Sequence, residues 1–358
     1  MARKKRVWLG VAVSLLCLYL LFRALDPAAL GTALRQVNPL YILPALAIYF
    51  GGVWLRAWRW RLLLRPALPA ELRAQVRSGH LFRVLIIGFT VNNLLPARLG
   101  ELARAYLLWR SNRVEPGATL ATIVLERVLD GLTLCAFAGF TALLVPFPAQ
   151  LQRAAWATAA VFLVAVLGLV VFFLWPAPFL GLARRLLRLL PPRFAQLGEH
   201  LLLTFVEGLA VLRQGRALAG VLALSVLAWL AEATMYLVIM FGFPFPARPA
   251  AALLGAAAAN IGTMIPSSPG YVGTFDLPLQ IVLTEVFGVA LAPATSYTLV
   301  LHAALVVPVV LLGVFFLWRD WRDGDGREGA GSLVAALRDL RLAASGRPAP
   351  LRQRSRSD

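Results

Sequence analysis

Long apolar runs alternate with short basic segments along most of this 358-residue chain. A helix needs about 20 apolar residues to cross the ~30 Å hydrocarbon core of a bilayer. Six runs come close to that length, and we predict a full crossing for each: about residues 7–25, 38–57, 118–144, 154–175, 217–242 and 294–318. The pattern predicts an all-α polytopic membrane protein whose first helix is not cleaved.

Two further apolar segments, about residues 80–112 and 250–288, are interrupted. The first contains VNNLLPARLGELARAYLL and the second contains IGTMIPSSPGY. Proline breaks a helix, and non-helical backbone persists at membrane depth only where protein buries it or where it lines a watery cavity. We therefore predict two re-entrant helical hairpins whose tips mark a polar cavity.

The basic residues favour this topology, because cytoplasmic flanks of membrane proteins hold an excess of Lys and Arg. With the N-terminus inside and two re-entrant hairpins, most of the 35 Lys and Arg residues face the cytoplasm, including the seven arginines from Arg56 to Arg83. If the first hairpin crossed instead, the later basic loops would face outwards. We predict a multi-pass protein of the cytoplasmic (inner) membrane with both termini in the cytoplasm.

The same topology divides residues 1–318 into two halves, about 7–145 and 154–318. Each half has the order crossing, crossing, hairpin, crossing. Three crossings per half is an odd number, so we predict that the second half is inverted relative to the first. Both hairpins share an apolar-Pro-x-x-x-Gly core, at Pro96–Gly100 and Pro266–Gly270.

Two segments lie outside the predicted crossings. Residues Arg184–Arg216 mix apolar and basic residues at helical spacing, which fits helices lying on the cytoplasmic surface and equally fits helices packed on the bundle. Residues 319–358 are polar and basic, and we predict a disordered cytoplasmic tail.

Charge and cysteine content restrict the function classes. The formal net charge is +18, but the arginines lie between apolar runs instead of on a soluble module, so we predict no nucleic-acid partner. Cys17 and Cys135 lie in different runs without a paired spacing, and Asp323–Asp325 belongs to the polar tail. We predict no disulfide, metal ion or cofactor.

Three charged residues follow the first proline at intervals of three. Arg98, Glu101 and Arg104 therefore lie near one face of the returning helix. Arginine is the usual residue for planar, multidentate phosphate contacts, and we interpret both arginines as substrate ligands. The alternative is that they extend to the cytoplasmic surface.

Three more charges lie close to mid-bilayer in the predicted crossing 118–144, at Glu126, Arg127 and Asp130. Each costs about 2.5–3.5 kcal/mol at the centre of a helix, so they must be paired or hydrated. Arg127 and Asp130 can pair at i,i+3, and Glu126 and Asp130 share a face that could hold Arg98 or Arg104. A purely structural ion-pair network is the alternative.

The second hairpin offers a different kind of site. Ser267, Ser268 and Gly270 precede a helix that we predict to begin near Tyr271. In transporters built from inverted repeats, the N-terminal ends of broken helices present free N–H donors to anions. We therefore predict a phosphate contact at this helix end.

Four other polar residues fall in apolar segments. Glu232 is a candidate proton-coupling site, and Glu285 is predicted to be a further inward carboxylate. Asn260 and His302 are interpreted as packing residues with satisfied hydrogen bonds.

Three motifs, in this order, resemble those of the flippase-like family that includes the membrane domain of lysylphosphatidylglycerol synthases. They stand here as Asn92, Asn93, Pro96, Gly100, Glu101 and Arg104; Glu126, Arg127 and Asp130; and Pro266, Pro269, Gly270, Gly273 and Asp276. The resemblance covers about residues 8–318. Together with the residues above it gives the expected substrate-binding set: Asn92, Asn93, Arg98, Glu101, Arg104, Glu126, Arg127, Asp130, Ser267, Ser268, Gly270 and Asp276. Tyr271 replaces a common second glycine, and Asp276 replaces a frequent glutamate, which shortens the reach of the carboxylate.

The resemblance implies a role in moving or presenting an anionic or aminoacylated lipid across the cytoplasmic membrane. Relatives are also connected with hopanoid and polyprenyl-linked glycolipid pathways. The synthase members carry a soluble aminoacyl-transfer domain that these 358 residues do not include, so a separate lipid-synthesising enzyme is an expected partner.

A lipid flippase or transporter is the leading hypothesis, and we expect no enzymatic activity. The alternatives are an integral membrane transferase that acts on a lipid-linked sugar or phosphate, with Glu101, Glu126 or Asp130 in its chemistry, and a membrane partner of a lipid-modifying enzyme.

Overall fold

The computed structural model describes residues 27–95, 98–189, 192–265 and 268–322, and these residues contain helices and no strand. The predicted first crossing at 7–25, Pro96, Pro266, Ser267 and nearly all of the predicted tail lie outside the described residues. The helices are α1 (Pro27–Arg35), α2 (Ile42–Leu64), α3 (Ala70–Gln75), α4 (Ser78–Leu94), α5 (Leu99–Asn112), α6 (Pro116–Leu144), α7 (Ala149–Leu174), α8 (Pro176–Leu187), α9 (Pro192–Gly208), α10 (Gly215–Met240), α11 (Pro249–Gly262), α12 (Asp276–Ile281) and α13 (Leu291–Arg322).

Four helical stretches among the described residues are long and apolar enough to cross a membrane. They are Pro39–Ala67, Ala149–Phe172, Gly215–Met240 and Leu291–Asp320, so they comprise α2, α7, α10 and α13. All four coincide with predicted crossings. α6 is 29 residues long but carries Glu126, Arg127 and Asp130 near its centre, and its crossing stays a prediction.

The predicted crossing 38–57 ends too early. α2 continues as regular helix to Leu64, with Arg56, Arg59 and Trp60 buried. Arg56 and Arg59, which the topology assigned to a cytoplasmic basic segment, are therefore buried residues of a helix. The helix continues past the two arginines because carboxylates elsewhere in the bundle neutralise them, which removes much of the cost of burying a charge.

Both interrupted segments are broken helices, as predicted. The first break lies between Leu94 and Leu99, and the second between Gly262 and Asp276. Whether each segment returns to the side from which it entered stays a prediction, as does the inverted repeat.

The helix expected to begin near Tyr271 begins instead at Asp276. Residues Pro269–Tyr271 form only a single 3₁₀ turn. Gly270, Tyr271 and Gly273 have φ angles of 74°, 57° and 83°. Left-handed residues cannot continue a right-handed helix, so α12 starts after them.

The two helices that flank the first break, α4 and α5, cross closely because Gly88 in α4 faces Gly100 in α5. A Cβ atom at Gly100 would collide with the carbonyl oxygen of Gly88. α4 therefore lies directly along α5, and its other side packs along α13. This close approach places the first break beside the second half of the chain.

The two largest apolar cores among the described residues both receive side chains from α2 and α10. One core contains Met235, Tyr236 and Tyr297 and joins α2, α10, α11, α12 and α13. The other contains Trp60 and Leu85 and joins α2, α4, α5, α6 and α10. Because lipid tails are as apolar as these side chains, the close packing itself stabilises helix association.

The segment Arg184–Arg216 includes part of α8 and all of α9. A Cβ atom at Gly117 in α6 would collide with Thr204 of α9, so the two helices are in close contact. Packing on the bundle is therefore the alternative that the structure supports for α9. α8 leaves Phe179, Leu182 and Leu186 exposed.

Candidate functional site

A cavity of about 160 Å³ lies where the two helix breaks meet, and residues from both halves of the chain line it. The Nη2 atom of Arg98, in the first break, donates a hydrogen bond of 2.5 Å to the carbonyl oxygen of Thr263, in the second. The Arg98 guanidinium also lies 5.7 Å from the centre of the Tyr271 ring. The two breaks thus contact each other directly.

Glu126 and Asp130 form the anionic centre of a buried ion-pair network beside this cavity. Arg104 Nη2 lies 2.9 Å from Glu126 Oε2, and Arg59 Nη1 lies 2.6 Å from Asp130 Oδ1. Arg59 Nη2 also approaches Glu126 Oε1 at 3.4 Å. Arg59 therefore bridges the two carboxylates at full burial.

Arg127 completes the network on the cavity side. Its Nη2 atom lies 3.1 Å from Glu126 Oε1 and 3.7 Å from Asp130 Oδ2. The predicted i,i+3 pair of Arg127 and Asp130 is confirmed, and of the two candidates for the carboxylates it is Arg104 that binds Glu126. Arg98 does not reach them.

Arg59 was not among the predicted site residues, although one signal in the sequence indicates it. The apolar residues Ala57, Trp60 and Leu63 continue the helical pattern of α2 beyond Arg56, which places Arg56 and Arg59 on a helix face instead of in a loop. The side chains that complete the Arg59 environment come from α10, where Ser225 Oγ accepts a bond of 3.0 Å from Arg59 Nη1.

Glu232 has a partner at each carboxylate oxygen. Arg56 Nη2 lies 2.7 Å from its Oε2 atom, and Asn260 Nδ2 donates to its Oε1 atom at 2.8 Å. Asn260 is therefore hydrogen-bonded, as interpreted, but it lies at the cavity wall. Glu285 is exposed, so the prediction that it points inwards is wrong: it lies in the π-helical turn that follows α12.

Arg98 differs from the other cavity-lining arginines. Arg56, Arg104 and Arg127 each lie within 4 Å of a carboxylate, whereas Arg98 has no carboxylate partner in the described part of the chain. It also has a left-handed backbone, with a φ of 51°. A non-glycine residue in that conformation costs about 1–2 kcal/mol, and such residues cluster at ligand sites.

Asn92, Asn93 and Glu101 surround Arg98 at the cavity wall. The Oδ1 atom of Asn92 accepts a bond of 2.7 Å from the N–H of Gly100, so this side chain fixes the start of α5. Glu101 Oε1 accepts a longer bond of 3.5 Å from Asn92, and its buried Oε2 atom has no hydrogen-bond partner among the described residues. Buried carboxylate oxygens are normally hydrogen-bonded, so this oxygen is free to accept a hydrogen bond from a bound molecule.

The described part of the second break contributes fewer of the predicted polar residues to the cavity wall than expected. In the described part of its loop, Tyr271 lines the cavity, whereas Ser268 and Gly270 do not. α12 has only six residues, and the Oδ2 atom of its first residue, Asp276, accepts the N–H of Gly273 at 2.8 Å. The helix end lies later in the chain than expected and Ser267 lies outside the described residues, so the phosphate contact at this loop stays a prediction.

Asp276 lies behind the cavity wall, where its Oδ1 atom is 2.7 Å from Nδ1 of His302. The other ring nitrogen of His302, Nε2, is 2.8 Å from the carbonyl oxygen of Gly270. His302 is fully hydrogen-bonded, as interpreted, and it also lines the cavity. Among the described residues no group of three or more His, Cys, Asp and Glu side chains could hold a metal ion.

Comparison with known proteins identifies relatives that are similar to this chain in sequence. The sequence profile described as "Lysylphosphatidylglycerol synthase TM region" matches residues 7–313. A protein named glycosyltransferase AglD, from Haloferax volcanii, is 24% identical over 343 residues, which cover 87% of this chain and 54% of the relative.

A UPF0104 membrane protein from Methanothermobacter thermautotrophicus is 29% identical over 166 residues, which cover 46% of this chain and 47% of that protein. The chain thus spans about half the length of these curated relatives. No solved structure matches it significantly.

Proposed function

Because the chain belongs to the family of the lysylphosphatidylglycerol synthase transmembrane region, we propose that it is a lipid transporter of the cytoplasmic membrane. It moves a phosphate-bearing amphiphile from one leaflet to the other. This substrate is an anionic lipid, an aminoacylated lipid or another lipid-linked compound. The headgroup enters the cavity between the two helix breaks.

The observation that carries this proposal is the guanidinium of Arg98, which lines the cavity without a carboxylate partner among the described residues. A guanidinium binds phosphate oxygens through parallel N–H bonds. A charge that crosses hydrocarbon alone meets a large barrier, and a polar cavity with an opposite charge lowers it. Arg98 therefore binds the headgroup phosphate on its path.

The paired arginines explain why the headgroup is not trapped. Glu232 pairs with Arg56, and Glu126 and Asp130 pair with Arg104 and Arg127 as well as with the buried Arg59. The cavity therefore does not present four unpaired cations. A transport site must bind its substrate well enough to admit it and weakly enough to release it. In this proposal Asn92, Asn93, Arg98 and Glu101 contact the headgroup, and the ion-pair network positions them.

The margins of the two breaks suit the acyl chains of an amphiphile. Leu94 beside the first break and Met264, Ile265 and Val272 in the second are large apolar residues that remain exposed. Exposed apolar residues next to a polar cavity allow the tails to stay in lipid while the headgroup is inside. Rocking of one half against the other then exposes the cavity to each leaflet in turn.

Fluorescently labelled phospholipids in vesicles that contain the purified protein test the proposal. We expect Arg98→Ala to lower the transbilayer rate about 10- to 100-fold, because it removes a charge-assisted interaction of about 1.5–3 kcal/mol. Arg113→Ala is the matched control, since Arg113 is also left-handed, with a φ of 55°, but is exposed and does not line the cavity. Equal rates for wild type and Arg98→Ala with every lipid tried would refute the proposal.

A transferase is the second candidate, favoured by the name of the Haloferax relative and by the unpartnered oxygen of Glu101 at the cavity. A carboxylate in that position could remove a proton from an acceptor hydroxyl. The purified protein would be incubated with a nucleotide-sugar donor and a polyprenyl phosphate acceptor. A product that disappears in Glu101→Gln would establish transfer and displace transport as the primary function.

A further inference from the structure

Both ring nitrogens of His302 face hydrogen-bond acceptors. Nε2 is 2.8 Å from the carbonyl oxygen of Gly270, which can only accept, and Nδ1 is 2.7 Å from Asp276 Oδ1. A neutral imidazole carries a single N–H group. If that proton is on Nε2, a lone pair of Nδ1 faces a lone pair of the ionised Asp276 carboxylate. If it is on Nδ1, the ring donates no hydrogen bond to the Gly270 carbonyl.

The observed geometry is therefore satisfied only when the His302–Asp276 pair holds one proton more than a neutral imidazole and an ionised carboxylate. That proton lies between Nδ1 and Oδ1, whichever of the two atoms carries it. Because His302 lines the cavity, the proton can exchange with water there.

The backbone that His302 holds is strained. Gly270, Tyr271 and Gly273 are all left-handed, and Tyr271 is the one of the three that has a side chain to oppose that conformation. Asp276 accepts the N–H of Gly273 and His302 contacts the Gly270 carbonyl, so the pair holds the loop on both sides of Tyr271. Loss of the proton removes one of these restraints and lets the loop relax.

Tyr271 connects this loop to the headgroup site, because its ring lies 5.7 Å from the Arg98 guanidinium. We propose that the Asp276–His302 pair is a proton-binding site that sets the position of Tyr271 over Arg98, so that transport of the anionic headgroup is coupled to a proton. This inference rests on the proposed transport function. One proton binds at the pair when the loop is held, and one is released to the cavity water when the loop relaxes.

The charges around His302 determine the sign of the coupling. Asp276, on α12, is the charged group that contacts the ring among the described residues, and Phe275 packs on it at 4.7 Å. The other charged groups of the cavity wall are Arg56 on α2, Arg98, Glu101 and Arg104 at or near the start of α5, Arg127 on α6 and Glu232 on α10. Among the described residues, Arg98 is the cation of this wall that has no carboxylate partner. An anion bound to Arg98 brings negative charge close to the Asp276–His302 pair and therefore favours its protonated form. Proton and anion should therefore strengthen each other's binding by the same factor.

A distance measurement within the protein tests the coupling without any lipid movement. Cys17 and Cys135 would be replaced by Ala, and spin labels placed at Leu94→Cys and Val272→Cys, two exposed positions on either side of the contact. We expect the label-to-label distance distribution in vesicles to change between about pH 5 and about pH 9. The change should be lost in His302→Gln and kept in His80→Gln, whose ring contacts Ser111 outside the cavity.

A distribution that does not change with pH, or a change that survives in His302→Gln, would overturn the proton site. The chain has three histidines, so the double variant His80→Gln, His200→Gln leaves His302 as the one histidine for nitrogen-15 NMR if His302→Gln does not fold. We expect a proton at both ring nitrogens, or one shared with Asp276, in the state that the structure describes. An isolated neutral ring at low pH would contradict the proposal.

Transport measurements then distinguish the proposed proton site from the proposed transport function. If vesicles show lipid movement whose rate is the same with and without a pH gradient, transport stands and its coupling to protons is wrong. If the loop distance responds to pH but no lipid moves, the proton site stands and the transport function is wrong. The expected result is a rate that rises at least about threefold when the gradient is imposed, and that loses this dependence in His302→Gln.

Discussion

The two helix breaks share an apolar-Pro-x-x-x-Gly sequence core but place different chemistry at the cavity. The first presents amide and charged side chains, with Arg98 left-handed at its end. The second presents the ring of Tyr271, while its own carboxylate, Asp276, is used internally by His302 and Gly273. In our proposals the first break is therefore a binding surface, and the second is a restrained loop that can move.

The largest expected effect tests what holds the first break in place. Arg59→Met removes the cation that bridges Glu126 and Asp130 at full burial. Leaving buried carboxylates without their partner costs about 3–5 kcal/mol. We expect a corresponding loss of stability, measured by thermal unfolding in detergent. Arg184→Ala is the control, because its exposed pair with Glu199 contributes about 0–1 kcal/mol; equal stability of the two variants would contradict a supporting role for Arg59.

A second prediction concerns the close contact between backbone segments beside each of the two breaks. A Cβ atom would collide with the Gly88 carbonyl at Gly100, beside the first break, and with the Thr274 carbonyl at Gly262, beside the second. We expect Gly100→Ala and Gly262→Ala each to destabilise the protein by about 1–3 kcal/mol.

Gly139 provides the matched control, since a Cβ atom there meets nothing within 4 Å. Gly139→Ala should stabilise α6 by about 0.5–1 kcal/mol. A large loss at Gly100 with none at Gly262 would mean that only the first break is tightly packed.

A third prediction concerns the contact between the breaks. Tyr271→Leu removes the aromatic face beside Arg98, and a cation–π interaction contributes about 0.5–2 kcal/mol depending on desolvation. We expect the transbilayer rate to fall about 2- to 20-fold, whereas Tyr271→Phe should stay within about twofold of wild type. If the phenylalanine variant is as slow as the leucine variant, the hydroxyl matters and the ring face does not.

The smallest effect is expected at Ser268. This residue lies in the second break but does not line the cavity, so Ser268→Ala should leave the transport rate within about twofold of wild type. A loss as large as that of Arg98→Ala would show that the loop binds the phosphate together with the first break.

Helical pattern and motif spacing predicted much of this arrangement. Four apolar helices long enough to cross a membrane, both helix breaks, the Arg127–Asp130 pair and the contact of Arg104 with Glu126 could be predicted, because they depend on local periodicity or on residues near one break. The start of α12 was misplaced because Gly270, Tyr271 and Gly273 adopt left-handed conformations that a proline-and-serine pattern does not reveal.

The partners of Arg56, Arg59 and His302 could not be predicted from the sequence in the same way. Arg56 and Glu232 are separated by 176 positions in the chain, and Arg59 and Asp130 by 71. Periodicity shows which face of a helix a residue occupies but not which distant helix covers that face. For that reason Arg56 and Arg59 were placed in a cytoplasmic segment.

The amino-acid sequence by itself determined the helical class, the membrane environment, the two breaks and the motif residues, because apolar length, proline and glycine act on the nearest turns of the chain. Only the tertiary structure decided that Arg98 has no carboxylate partner within the described ranges, that Arg59 bridges Glu126 and Asp130, and that His302 contacts the second break. Those outcomes depend on which charges meet when helices from both halves pack, and in a medium of low dielectric each charge must find a partner that chain position does not specify.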